Sequence, residues 1–258
     1  QPDALIRTSA ETAYTGNNVY NATGASQTKA QTVAAVATAT YVLMVQNDGN
    51  VSDSFKITGT AASTGWTIQY FDAVTGGTDL TASVTATSGW TPAALAAGAT
   101  KEFRVEVTPG ATPAGGALLH VSVTATSTGD ATRKDVVKAT TTVRKLQPDA
   151  LIRTSAETAY TGNNVYNATA AGQSKSQTVA NAAKATFLVQ VQNDGNVAEA
   201  LKLTGYGAGS SGWTVQYFDA QTGGADITAS VTGSGWTTAS LAAGATKVIR
   251  LEVTPSSA

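Results

Sequence analysis

The chain has 258 residues, no cysteine, only 13% charged residues and a formal net charge of −1. The missing cysteines exclude a disulfide framework, thiolate metal sites and cysteine nucleophiles. The near-neutral balance gives no electrostatic reason to expect nucleic acid or anionic lipid as a partner. The sequence contains no apolar run long enough to span a membrane and no basic-then-apolar signal. The chain therefore reads as a processed or excised segment of something longer.

The opening stretch, Gln1–Thr23, returns letter for letter at Gln147–Thr169. The protein is thus a tandem repeat, with domains expected at 1–146 and 147–258. Abundant Thr and Val favour strands over helices, because β-branched side chains pack well on a pleated surface.

QPDALIR opens each copy as a short strand candidate. Most of the Thr-, Asn- and Gly-rich stretch after it should be loop or irregular edge structure. At 41–46, Tyr41, Leu43 and Val45 alternate with Val42, Met44 and Gln46. The second copy keeps Phe187, Val189 and Val191 apolar while the opposite face drifts polar, which identifies the buried face. Asn47-Asp48-Gly49-Asn50 predicts a tight hairpin turn. The return strand places Phe55 and Ile57 inward and Lys56 outward.

Trp66, Ile68 and Tyr70 then alternate with Thr67 and Gln69. A turn at Thr75-Gly76-Gly77 and a weaker strand over 80–85 follow. Leu95–Gly98 leads into the most regular strand, where Phe103, Val105 and Val107 alternate with Arg104 and Glu106 up to Pro109. Such alternation predicts one buried and one wet face. In the first copy, strands carrying Leu119/Val121/Val123 and Val137/Ala139/Thr141/Val143 complete the set.

Seven or eight short strands without a helical period predict an all-β fold, a tandem of immunoglobulin-like β-sandwich domains. The second copy stops just past the equivalent of Pro109. It lacks its last two strands, the counterpart of about 112–146 being missing. Either the natural chain continues, or a neighbouring chain supplies the strands by β-augmentation.

VQNDGNVSDSFKITG, GWTIQYFD, LAAGATKEFRVEVTP and VSVTATS resemble the Ig-like repeats of secreted bacterial and archaeal surface proteins, including the CARDB-like domains. The likeness covers about 40–143 and 186–258. It implies spacers, adhesive stalks or fibre subunits at an extracellular or cell-surface location, and it transfers no functional residue.

No catalytic, cofactor or metal constellation stands out. His120, the single imidazole, shares a strand face with Ser122 and Thr124 and reads as solvent-facing. Asn47–Asn50 and Asp72…Asp79 offer oxygen ligands but not the spacing of a calcium loop. Trp90 and Trp236, each after a glycine in a loop, are candidate sugar contacts. Asn21, Asn50 and Asn167 lie in N-glycosylation sequons.

Tyr14, Asn17, Asn18 and Tyr20, repeated as Tyr160, Asn163, Asn164 and Tyr166, either pack a long loop on its own domain or form an assembly contact. The short link at 143–149, without a Gly/Ser tether, suggests a semi-rigid rod. These readings converge on a non-catalytic extracellular structural repeat, forming a stalk, surface layer or filament and partnered by itself. An adhesin or carbohydrate-binding accessory segment of a larger secreted protein, partnered by glycans, is the alternative.

Overall fold

The structure, a computed structural model, describes residues 1–207 and 212–257. It divides into two compact units, Gln1–Arg144 and Lys145–Ala258.

Unit 1 contains β1 (Pro2–Thr8), β2 (Thr28–Val33), β3 (Ala39–Asn47), β4 (Phe55–Gly59), β5 (Trp66–Phe71), α1 (Thr81–Thr85), β6 (Thr100–Pro109), β7 (Leu118–Ser127) and β8 (Lys134–Val143). One sheet has the order β1-β3-β6-β5 and the other β2-β8-β7-β4. All pairings are antiparallel except β2 with β8, which is parallel. This is the immunoglobulin arrangement of an ABED sheet facing a GFC sheet, with β2 running beside the last strand.

The alternation read from the sequence explains the core. Tyr41, Leu43, Val45, Phe55, Ile57, Ile68, Tyr70, Phe103, Val105, Val107, Val121 and Val123 are all at most 3% exposed and form one cluster between the sheets. Each such aliphatic or aromatic side chain contributes roughly 1.5–3 kcal/mol by leaving water, so a domain without disulfides can stand on this core.

Three local expectations need correction. Asn47–Asn50 does not close a hairpin. β3 pairs with β1 and β6, whereas β4 pairs with β7, so the segment carries the chain from one sheet to the other. Asn47 organises that crossing: its buried amide donates to Val51 O and Leu95 O, each at 2.8 Å, and its carbonyl accepts Gly49 N at 3.0 Å. Second, residues 81–85 form the single helical turn α1 instead of a strand. Val84 is its buried anchor, and Thr81 Oγ1 accepts Tyr70 N at 3.0 Å. Third, the outer face of β6 is not simply wet. Arg104 is only 7% exposed, lying over the Phe71 ring at 4.1 Å and donating to Ala73 O and Gly76 O.

Unit 2 contains β9 (Pro148–Thr154), β10 (Ala185–Asn193), β11 (Lys202–Leu203), β12 (Trp213–Phe218), α2 (Thr228–Thr232), β13 (Trp236–Thr237) and β14 (Thr246–Pro255). The four-stranded sheet β9-β10-β14-β12 reproduces the first sheet of unit 1, while the second is reduced to β11 with β13. Among the described residues there is no counterpart of β7 or β8. The segment 174–179, SKSQTV, is the counterpart of β2 (TKAQTV) yet is not a strand. In unit 1 the ladder partner of that segment is β8, which has no counterpart among the described residues of unit 2.

Candidate functional site: the open face of unit 2

With one sheet reduced, the inner face of the other borders a groove of about 710 Å³. Its floor includes Val189, Val191, Ile249, Leu251 and Tyr217. Their counterparts in unit 1, Leu43, Val45, Phe103, Val105 and Tyr70, are all at most 3% exposed under the second sheet. The groove is therefore a half-core, apolar because it is built to be covered.

Its polar rim is best understood from unit 1, where the corresponding place is filled. There Asp135, the second residue of β8, is fully buried. Its Oδ2 accepts Ala4 N at 2.7 Å and Gln27 Nε2 at 2.8 Å. Its Oδ1 accepts Asn21 N and its own neighbour Val136 N, both at 2.9 Å. Burial nevertheless pushes its carboxyl above the usual carboxylate range, against the pull of those donors. Beside it, Asp3 accepts Asn18 N at 2.8 Å. Burial first, then the Asp48 and Asp135 charges, raise the Asp3 carboxyl to about 6, with the Asn18 amide acting in the opposite sense.

Unit 2 keeps this frame without the central acid. Gln173 Nε2 still donates to Ala150 O at 2.6 Å, as Gln27 does to Ala4 O at 2.7 Å. Asp149 Oδ2 still accepts Asn164 N at 2.8 Å. Ala150 lines the groove and is exposed, whereas Ala4 is 5% exposed. Close to the same β7–β8 turn, Asp53 Oδ2 in unit 1 accepts Ser127 Oγ at 2.5 Å. Its counterpart in unit 2, Glu199, has Oε1 buried without a hydrogen-bond partner.

The tyrosine-rich loops are pinned to their own domains. Tyr14 donates to Glu102 and lies 5.2 Å from the Arg7 guanidinium. Burial and the Glu102 carboxylate raise its phenol to about 12. Tyr20 donates to Asp48 Oδ2 at 2.7 Å and lies 3.1 Å from Asn18 Oδ1, and Tyr166 repeats this with Asp194 and Asn164 at 2.6 and 3.0 Å. Tyr160 stacks under Arg153 at 5.1 Å. Asn17 and Asn163 are exposed, while Asn18 and Asn164 take positive φ, 57° and 59°, to turn the loop. Tyr20 and Tyr166 remain 45% and 46% exposed.

Trp90 is half-buried and meets Phe103 edge-on, with centroids 5.7 Å apart; Trp236 packs on the smaller core of unit 2. Asn21 is half-buried and Asn167 exposed, and both cap their own turns, donating to Ala25 O and Ala171 O at 2.8 and 2.9 Å. Asn50 is exposed. His120 is exposed, 2.9 Å from Thr140 Oγ1. Asp72 and Asp79 accept Thr78 N and Thr81 N at 2.7 Å, holding turns. No cluster of three or more His or acidic residues able to hold a metal occurs among the described residues. The donor cradle and the orphan Glu199 were not legible from sequence. Their only trace was the identity of the two leading segments, which contain Asp3, Ala4, Asn18 and Asn21.

No protein-family model matches the sequence, nor does any curated protein. Among solved structures, the chain is similar to the C-terminal domain of the AgI/II polypeptide BspA of Streptococcus agalactiae, with 10% identity and a TM-score of 0.37 over 100% of this chain and 92% of that one. It is similar to the C-terminal domain of the antigen I/II-family protein AspA of Streptococcus pyogenes, with 10% identity and a TM-score of 0.34 over 100% and 92%. It is also similar to the secreted serine protease VesC of Vibrio cholerae, with 9% identity and a TM-score of 0.30 over 88% of this chain. The chain spans 45% of that protease.

Proposed function

We propose that the protein is a non-catalytic structural repeat of an extracellular or cell-surface array, a stalk or filament. In this reading, unit 2 is completed by a strand pair of the β7–β8 pattern. The supporting observation is the comparison within the chain: the same half-core is closed by β7 and β8 in unit 1 and open in unit 2. An open apolar half-core with a free sheet edge favours pairing with another segment. Such completion adds main-chain ladders and side-chain packing to the unit, the mechanical requirement of a load-bearing array.

The test adds a synthetic peptide of residues 112–146 to the full chain. Calorimetry should show the lower of two unfolding transitions rising with peptide concentration, as ligand linkage requires. Amide exchange at 174–179 should slow as that segment gains its parallel partner. An unchanged transition and unchanged exchange at saturating peptide overturn the reading.

A further inference from the structure

We propose that unit 2 selects its completing hairpin by two polar marks: a carboxylate at the second residue of the incoming last strand and a hydroxyl at the end of the strand before it. The inference rests on the completion reading above and adds the chemistry by which the partner is recognised.

The first mark follows from the cradle. In unit 1, each oxygen of Asp135 accepts two N–H groups. Three of the four donors come from outside β8, namely Ala4 N, Asn21 N and Gln27 Nε2. Their counterparts in unit 2 are Ala150 N, Asn167 N and Gln173 Nε2, on residues that line the groove. The frame survives, because Gln173 remains tethered to Ala150 O. An ionised carboxyl offers acceptors on both oxygens, whereas a carboxamide has one acceptor and turns two N–H donors toward donors. The cradle therefore distinguishes Asp from Asn, although the two are nearly the same size. The like charge of Asp149 nearby opposes the incoming acid, but unit 1 tolerates the same juxtaposition of Asp3 and Asp135 with both fully buried.

The second mark is independent. Glu199 Oε1 is buried without a partner, an arrangement that costs free energy until a donor arrives. In unit 1 the donor at that place is Ser127 Oγ, the last residue of β7. Ser127 and Asp135 lie on the two arms of one hairpin, near its turn. Together the marks specify which arm faces which wall and fix the register. An apolar groove alone does this poorly, since a slip of one residue reverses every side chain.

The test compares synthetic 112–146 peptides binding to the full chain by titration calorimetry: the natural sequence, D135N and S127A. We expect D135N to bind about tenfold or more weakly and S127A several-fold more weakly, the effects of unmade buried hydrogen bonds. Replacing Gln173→Ala in the protein should weaken the natural peptide more than the D135N peptide, because the two changes remove the same contact. D135N binding within twofold of the natural peptide, or Gln173→Ala weakening both peptides equally, overturns the carboxylate mark while completion stands. S127A binding equal to the natural peptide overturns the hydroxyl mark. No binding by any peptide overturns completion itself.

Discussion

The hydroxyl of Tyr41 donates across the sandwich to the carbonyl of Thr140 at 2.6 Å and lies 3.0 Å from Thr141 Oγ1. Phe187, in the same place in unit 2, has no hydroxyl. The difference tracks the strand that carries Thr140, present in one unit and without a counterpart among the described residues of the other. Tyr41→Phe removes the donor and leaves the Thr140 carbonyl short of a partner. Unit 1 should lose about 1–3 kcal/mol, read as a lower denaturant midpoint for its transition, while the transition of unit 2 stays in place.

A second prediction concerns space. A Cβ on Gly59 would stand 2.5 Å from Tyr70 Oη and 2.9 Å from Val84 Cγ1. Tyr70 is fully buried and its hydroxyl is committed to Thr60 O at 2.9 Å, so it cannot move aside cheaply. Gly59→Ala should destabilise unit 1 by about 1–3 kcal/mol through overpacking. Gly205→Ala faces Tyr217 Oη at 2.6 Å, but that ring borders the open groove and can yield. Its cost should be smaller, and thermal melts of the two variants check the order.

Acidity gives a third. Asp3 is fully buried and has its carboxyl raised from 3.8 to about 6. The folded state therefore takes up this proton more readily than the unfolded state. Ionised Asp3 opposes folding in full above pH 6, and the cost is relieved as pH falls from 6 toward 3.8, reaching about 3 kcal/mol at most. Glu11 acts in the opposite sense. Lys29 and Thr8 hold it down at about 2, so its contribution is present above pH 4.5 and fades only as pH falls from there toward 2. Unit 1 should thus become more stable between pH 7 and 5. Asp3→Asn, which keeps an acceptor for Asn18 N, should flatten that rise. Equal slopes for variant and parent in denaturation at pH 5, 6 and 7 would count against the assignment.

The fourth concerns Arg104. Its guanidinium covers Phe71 and bonds Ala73 O at 2.8 Å, Gly76 O at 3.0 Å and Glu106 Oε1 at 2.6 Å. A lysine keeps the charge but not the planar stack or the several donors. Arg104→Lys should cost unit 1 about 1–2 kcal/mol in chemical denaturation, and Arg104→Ala more, because the half-buried Glu106 carboxylate is then left unpaired. Arg250, over Phe218 at 4.2 Å, should behave alike in unit 2.

Period-two alternation made the sandwich legible, because a buried face must be apolar whatever its neighbours. Tyr41/Leu43/Val45 and Phe103/Val105/Val107 therefore fell on the correct side. What alternation does not carry is the identity of the next strand. Asn47–Asn50 has the residues of a hairpin turn, yet the chain there crosses between sheets, a choice made by the packing of Phe55 and Ile57 opposite β3. Leu80–Thr85 looks strand-like from its Thr and Val content, but burying Val84 with Thr81 against Tyr70 N requires a helical turn. The cradle is invisible for a related reason. Ala4, Asn21 and Gln27 contribute main-chain or amide groups that mean nothing until Asp135, more than a hundred residues later, is placed among them.

The pairing of β2 with β8 also has a consequence for biosynthesis. Strand 28–33 finds its ladder only after 138–143 exists, and Ala4 finds Asp135 only at the same late stage. A ribosome delivers residues from the amino end, so most of unit 1 emerges before its closing strands do. During that interval the nascent unit 1 has the open form that unit 2 shows. Long-range closure of this kind is slow, and each repeat under translation would present an unfilled groove to whatever matching hairpin lies nearest.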